Sequence, residues 1–563
     1  MKKKTGITWI VLLTLAFMLG LSGCSSTDKS EPKAAEEVQV SANTGTYLGE
    51  KIDGVAQFLG IKYGDMEPFK APTDVTTTSD DVLEAKKYGF NCLQAPNEVE
   101  IASQHPCSQD CLYLNIWTKD AATKGKPVIV FAHGGGFIVG GTSDPMYDGE
   151  YFVRNLPEGE DCVFVTINYR LSFLGGIDLT GCPDYTDEYA DAINLKLLDQ
   201  IQALKWVNEN IEAWGGDRDC VTYMGQSAGA MSVQALLGNE DANQYFNRAF
   251  ADSGSPSYGL VNEETSKETS ETIMGILGVS TVKELTTLTD DEITDKMGEI
   301  NENTKPVLVA DGEIMSENWW NDIRDGKAKD IDLMIGATSG ECDMFSIDWE
   351  TGNSEAITDE TQLYHMLKDS REKSKHAPGK LYSFGNEGND TSVVNEYLAL
   401  GTDPVKQVQD LYNDLSNPYP NILMAEAQSE HNANVYNYYF EYAPDKEAVL
   451  DFSGDAAEVS PWGRPLHCMD LCFTMGTLKD GYTELTGDYK KLPQDLSLQM
   501  QRAVYYFAKT GNPNNELIPE WEAYNGDTKA TMIIGPDAKW HCENDYRSES
   551  INVLRQVIPY GQK

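Results

Sequence analysis

The feature that most limits what this chain can fold into is an alternation of two kinds of segment. Residues 127–133 (PVIVFAH), 162–169 (CVFVTINY), 220–225 (CVTYMG), 248–252 (RAFAD), 332–337 (DLMIGA) and 435–442 (VYNYYFEY) are short and rich in apolar, β-branched and aromatic residues. That composition suits strands, and the near-continuous apolar character means burial on both faces. Between them lie helical patterns. In residues 194–211, Leu197, Ile201, Leu204 and Val207 or Trp206 recur at helical spacing. Strand–helix alternation of this kind predicts an α/β architecture, a parallel sheet covered by helices on both sides. At 563 residues the chain is longer than one ordinary core requires. It nevertheless shows no internal repeat and no linker that would divide it, so residues 41–563 are expected to form a single domain with insertions. The stretch 260–305, dense in Glu, Thr and Lys with weak apolar spacing, reads as a helical insertion rather than part of the sheet.

The N-terminus carries a different signal. Lys2, Lys3 and Lys4 precede the apolar run ITWIVLLTLAFMLGL, and then come Leu21-Ser22-Gly23-Cys24 and a polar stretch. A basic patch, a short apolar core and small residues read as an export signal rather than a membrane span. The Leu-Ser-Gly-Cys end resembles a bacterial lipobox. That resemblance implies a signal peptide over residues 1–23 and lipidation at Cys24; the polar, alanine- and glutamate-rich stretch that follows predicts a flexible tether over 24–40. The resemblance also implies a location on the outer face of a bacterial membrane, held there by lipid alone. The formal net charge of −45 and pI near 4.4 set the chain against nucleic acid and anionic surfaces, so neither is an expected partner. Export permits disulfides among the 11 cysteines. No Cys-x-x-Cys pair occurs, which argues against a zinc cluster; no metal or organic cofactor is implied.

Chemistry first appears at Gly225-Gln226-Ser227-Ala228-Gly229. A Gly-x-Ser-x-Gly run is a weak signal in a chain with 48 glycines. Its setting strengthens it, because an apolar strand precedes it and a helical pattern follows. In such a turn a flanking Cβ would clash, and the serine is pushed out at a helix start, where unpaired N–H groups favour negative charge.

A serine hydroxyl needs a base to take its proton. In the order serine, acid, histidine, His105 and His133 come too early. Of His365, His376, His431, His467 and His541, the leading candidate is His467, in the Gly- and Pro-bearing loop PWGRPLHCMDLCF. A second, independent signal is His133-Gly134-Gly135-Gly136-Phe137, directly after a strand. Three glycines let successive N–H groups point at one place, as an oxyanion requires. A phosphate-cradling loop is the rival reading, but no Gly-x-Gly-x-x-Gly or Gly-Lys-Ser/Thr spacing accompanies it.

Taken together the sequence resembles the type-B carboxylesterase/lipase family, which includes the cholinesterases. The likeness runs through FLGIKYG (58–64), SQDCLYLNIW (108–117), HGGGF (133–137), NYRLSFLGG (168–176), VTYMGQSAGA (221–230), DSGSP (252–256), IGATSGE (335–341), His467 with its surroundings and YFAKTGNPN (506–514). It implies an α/β-hydrolase fold: a central, mostly parallel, twisted sheet with helices on both faces and helical insertions. It implies Ser227 as nucleophile, Glu341 as acid and His467 as base, with Gly135, Gly136 and Ala228 as oxyanion donors. Asp252, at the end of another strand, is the rival acid. The resemblance further implies an Arg170–Asp199 ion pair, a supporting role for Ser253, and a Cys92–Cys111 disulfide for which Cys107 could compete. Because Cys342 follows Glu341 and Cys468 follows His467, those two cysteines are expected to be neighbours and candidates for a bridge.

The chain also departs from the family pattern. Gln109 stands where the family usually has Glu, Lys62 where it has Pro, and Gln226 where cholinesterases have Glu. The 92–111 loop is short and contains no tryptophan, which removes an aromatic face for a choline ammonium. The expected substrate is therefore a small ester, short-chain or aryl. The alternatives are a catalytically silent binding or adhesion protein on the same fold, and an amidase or thioesterase using the same residues. The acyl pocket is expected to draw on Phe137, Trp319, Trp320 and the 340–420 region, although adjacent tryptophans in a helical pattern more often belong to the core.

Overall fold

The computed structural model describes residues 35–76, 81–96, 101–258, 260–304, 308–343, 382–384, 390–444, 460, 462–478 and 489–559. The strands of its large sheet are β1 (Glu36–Ala42), β2 (Gly45–Ile52), β3 (Val55–Lys62), β4 (Tyr113–Thr118), β5 (Lys126–Ala132), β6 (Val163–Ile167), β7 (Gly216–Gln226), β8 (Arg248–Asp252), β9 (Asp332–Thr338), β10 (Val435–Phe440), β11 (Ala530–Ile534) and β12 (Trp540–Asn544). They lie side by side in the order β1-β2-β3-β4-β6-β5-β7-β8-β9-β10-β11-β12, and the short strand Val82–Glu84 pairs with β2 to make thirteen.

From β6 through β5 and on to β11 every pairing is parallel. The N-terminal strands and the final β11–β12 pair are antiparallel. All six apolar runs singled out in the sequence are strands of the parallel part. Every residue of β5, β6 and β10 is buried, as two-sided coverage demands. The outermost N-terminal strands escape a search for apolar runs because they alternate, as in β2 with its half-exposed partners to Tyr47 and Gly49.

Two cores follow from the period-two alternation along β5. Val128, Val130 and Ala132 face a core built with helices α1 (Leu195–Asn210) and α2 (Ala228–Leu237). Ile129 and Phe131 face the opposite core. The insertion holds α3 (Glu263–Leu277), α4 (Val282–Thr286) and α5 (Asp290–Asn303), so its helical character is as expected. At its edges, however, Leu260–Asn262 and Leu308–Ala310 pair as a small parallel sheet. The remaining helices used below are α6 (Trp319–Arg324), α7 (Pro404–Ser416), α8 (Pro418–Ser429), α9 (Leu471–Met475) and α10 (Gln494–Thr510); α9 and α10 cover the second core. Trp319 and Trp320 are buried in the first core, edge to face at 5.8 Å.

One boundary differs from expectation. A tether reaching residue 40 is contradicted by β1, which begins at Glu36 and pairs residue by residue with β2 through Ala42. Val38 and Val40 alternate with polar neighbours and pack on the first core, a pattern masked by the acidic residues around them. Residues 1–23 and Cys24 lie outside the described residues, as do His365, His376 and most of 344–389.

Candidate active site

The parallel strands end together, and the chemistry sits in the loops that leave them. Ser227 follows β7 and opens α2 with φ 55° and ψ −121°, a conformation that costs a non-glycine residue on the order of 1–3 kcal/mol. The turn leaves no room beside it. A Cβ on Gly225 would stand 2.4 Å from the Gly229 carbonyl, and one on Gly229 would stand 2.1 Å from Ala132 O. The Ser227 N–H donates to Asp252 O at the end of β8, which ties the elbow to the neighbouring strand.

His467 reaches this serine from 240 residues away in sequence: its Nε2 lies 2.8 Å from Ser227 Oγ, and its Nδ1 lies 2.5 Å from Glu341 Oε2. Glu341 sits in the loop after β9 and is held from several directions. Its Oε1 accepts from the Thr338 N–H at 2.7 Å and the Thr338 hydroxyl at 3.0 Å, and its Oε2 accepts from Asn417 Nδ2 at 2.9 Å. Burial alone would raise the Glu341 carboxyl, but His467 and the Thr338 N–H lower it below its usual value, so it is ionised. Burial likewise disfavours the His467 cation; Cys468 and Glu341 oppose burial and hold the imidazole well above its ordinary value. The Glu341 carboxylate, 2.5 Å from Nδ1, is the charge in direct contact with the ring. Gln226 Nε2 also lies 3.4 Å from His467 Nε2.

The loops bearing Glu341 and His467 are joined by Arg464, a feature that the sequence reading passed over. Its guanidinium makes a fork on Asp343, Nε to Oδ2 at 2.9 Å and Nη2 to Oδ1 at 2.9 Å, and also pairs with Asp410 on α7. Asn413 of α7 donates to Asp343 and accepts from the Cys342 N–H. The Gly340 N–H donates to Pro465 O, closing the two loops against each other. Nothing in the local sequence announces this clamp, because its members come from three separate segments.

The glycine loop after β5 has Gly135 at φ 100°, Gly136 at φ 60° and Phe137 at φ 61°. Among the described hydrogen bonds none uses the N–H of Gly135 or Gly136, and the Ala228 N–H belongs to the first turn of α2, where helices leave donors unpaired. His133, excluded as a base by its position, is buried and stacked on Tyr169 at 4.5 Å; burial pushes its pKa down to about 4, so it is a neutral prop for the loop.

The flanking expectations resolve as follows. Arg170 and Asp199 form a buried pair, Nε to Oδ2 at 2.8 Å and Nη2 to Oδ1 at 2.5 Å. Ser253 is buried beside Asp252 with φ 54°. Cys92 and Cys111 are bridged, and Cys107 is a free thiol. Cys342 and Cys468 are not bridged; both are free, and Cys342 is buried with its N–H taken by Asn413. Asp252 does not face His467 as a rival acid would: it bonds Tyr438 at 2.7 Å. His431 accompanies the end of α8, with its Nε2 2.7 Å from Arg324 O, and His541 lies exposed on β12. Gln109 bonds Asp290 on the insertion at 2.9 Å, which gives its amide a structural use. Strain offers a signal that sequence could not: Phe137, Ser227, Ser253 and Cys468 all have positive φ, and all four adjoin this site. Among the described residues no group of three or more His, Cys, Asp or Glu is arranged to hold a metal ion.

Residues 36–554 match the carboxylesterase family. The para-nitrobenzyl esterase of Bacillus subtilis (strain 168) is 32% identical over 541 residues, covering 91% of this chain and 97% of the relative. The phenmedipham hydrolase of Pseudarthrobacter oxydans is 26% identical over 523 residues, covering 89% and 96%. Among solved structures, a Geobacillus stearothermophilus carboxylesterase at pH 6.2 superposes with a TM-score of 0.76 at 29% identity, over 92% of this chain and 99% of the other.

Proposed function

The chain belongs to the carboxylesterase family and has its α/β-hydrolase fold, and we propose that it hydrolyses small carboxylic esters, short-chain or aryl, through an acyl-enzyme on Ser227. The observation that carries this reading is the continuous contact from Glu341 to His467 to Ser227. In the first half-reaction His467 Nε2 takes the Ser227 proton as Oγ attacks the ester carbonyl. The N–H groups of Gly135, Gly136 and Ala228 receive the negative charge on the carbonyl oxygen; each such donor contributes roughly 10²–10³ in rate. The ester C–O bond then breaks, and His467 returns the proton to the leaving alcohol. Water repeats the sequence on the acyl-enzyme, with His467 as base, and releases the acid. Glu341 holds the Nδ1–H tautomer and stabilises the imidazolium throughout.

Several features support a small substrate. Cys92–Cys111 closes a short, tryptophan-free loop with a sequence separation of 19, which leaves little chain for a long lid. The Bacillus subtilis relative is named for the para-nitrobenzyl ester, a small ester with an aromatic alcohol part. The silent-scaffold alternative is disfavoured because nucleophile, base and acid are all present and in contact. An amidase or thioesterase would use the same groups. Initial rates on para-nitrophenyl acetate, butyrate and palmitate, a matching anilide and a thioester separate these readings. The reading predicts Ser227-dependent turnover highest on the short aryl esters; a higher kcat/KM on the anilide or on the palmitate would contradict it.

The location is also part of the proposal. The basic, apolar and Leu-Ser-Gly-Cys segments support export and lipid attachment at Cys24. Labelled fatty acid is expected to incorporate into the intact chain and not into Cys24→Ser, with the variant recovered from the medium instead of the membrane.

A further inference from the structure

The former rival acid has a different partnership. Asp252, Gly336 and Tyr438 occupy one row across the parallel strands β8, β9 and β10. A Cβ on Gly336 would stand 2.1 Å from the Tyr438 ring, so the glycine is what lets that ring lie across β9 toward Asp252. The Tyr438 hydroxyl reaches Asp252 Oδ1 at 2.7 Å and, from the other side, Asp470 Oδ2 at 3.0 Å. Asp470 comes three residues after His467 and stands at the N-cap of α9, yet it makes no capping bond with its side chain. Both carboxyls are fully buried.

Counting hydrogens constrains this trio. The phenol has one hydrogen and faces two carboxyl groups, so it donates in the shorter contact; the other contact needs a hydrogen from a carboxylic acid. The two carboxyls also share the one phenol oxygen as their common neighbour, and a single proton held between them relieves their mutual repulsion. By ordinary donors alone, Asp252 Oδ2 and Asp470 Oδ1 go unpaired. The Ser253 hydroxyl, next to Asp252 in the chain, is buried and makes no hydrogen bond of its own. We propose that Asp252 and Asp470 hold one proton between them through and beside Tyr438, and that the resulting single negative charge is a positioning element behind the Glu341–His467 couple. Burial raises both carboxyls, Asp470 the more strongly, in keeping with one proton retained at neutral pH. The titratable groups acting on the pair are Tyr438 and Glu341, and through Glu341 the imidazole of His467. Two ionised acids here would add a second uncompensated charge beside Glu341, and two neutral acids would add none. The proposal rests on His467 acting as the base at this site.

The pH dependence of kcat/KM for para-nitrophenyl acetate tests it in the full chain. Asp470→Asn keeps one charge and supplies an N–H donor. It is expected to leave the acid limb in place and retain about a third or more of kcat, whereas Asp470→Leu loses about tenfold or more. The double change Asp252→Asn with Asp470→Asn removes the remaining charge. It is expected to move the acid limb down by about half a unit or more, because a negative charge supports the imidazolium. An acid limb that already falls in Asp470→Asn means two charges in the wild type, and one that does not move in the double variant means none; either overturns the proposal. Infrared difference spectroscopy provides a readout that does not need the double variant to fold or the enzyme to turn over. The carbonyl band of a protonated carboxylic acid is expected in the wild type at neutral pH and not in Asp470→Asn. Its absence from the wild type also overturns the proposal. Failure of the ester reading would show instead as hydrolysis that persists in Ser227→Ala.

Discussion

At His467 two opposing influences set the proton. Burial disfavours the cation, while the ionised Glu341 carboxylate 2.5 Å from Nδ1 favours it and wins in direction. A general base works as the neutral ring, so raising its pKa moves the acid side of the rate profile upward. The acid limb of kcat/KM is expected above about 6.5, the ordinary histidine value. Activity falls as pH drops through it. Glu341→Gln removes the supporting charge and is expected to shift the limb to lower pH while reducing kcat by on the order of 10⁴. A pH–rate profile of both proteins checks the two effects together. The serine and its glycines were legible in the sequence because the elbow is local: Gly225, Ser227 and Gly229 must be close in the chain to make the turn. His467 was singled out by its place in the order and its Gly- and Pro-bearing loop, whereas Glu341 was reached only through resemblance, since no spacing rule links it to either. Asn417, which donates to the same Glu341 oxygen that faces His467, was not legible at all; it is one amide in a helical stretch, and only tertiary approach gives it a role.

Among the elements, the loops after β9 and before α9 must keep a fixed relation if Glu341 and His467 are to stay in contact. Arg464 supplies that relation with a planar fork onto Asp343, itself fully buried. Removing the cation leaves a buried carboxylate without its partner, a change that costs about 3–5 kcal/mol. Arg464→Met is expected to lower stability by that order and to reduce kcat more than it changes KM. Arg464→Lys keeps charge but loses the fork and should fall between the two. Denaturant unfolding alongside steady-state kinetics checks this; wild-type kcat in Arg464→Met would show that the loops hold each other without the clamp. The parallel strands were legible because strands buried on two faces must be apolar throughout. The antiparallel margin was not, and β1 in particular was read as tether because its outward residues are Glu36, Glu37 and Gln39. Edge strands carry charge on the exposed side, and that charge hides the inward Val38 and Val40.

Over the whole molecule, the parallel sheet brings β5, β7, β8 and β9 to end side by side, so segments far apart in sequence deliver the glycine loop, Ser227, Asp252 and Glu341 to one rim. The Cys92–Cys111 bridge is itself buried in the first core, while Leu93 of the loop it closes packs on a separate cluster with Phe173 and Leu195. Replacing both cysteines by alanine is expected to lower stability by about 2–4 kcal/mol, with kcat on para-nitrophenyl acetate changed less than threefold, as measured by denaturant midpoints and initial rates. The account as a whole depends on Ser227 being the one activated hydroxyl. Its most direct test is to treat the native protein with a fluorophosphonate and map the adduct by peptide mass spectrometry. The account predicts a single stoichiometric adduct on the peptide containing Ser227, absent in Ser227→Ala and strongly slowed in His467→Ala. An unmodified Ser227 in protein that still hydrolyses esters, or an adduct on another residue, would contradict it.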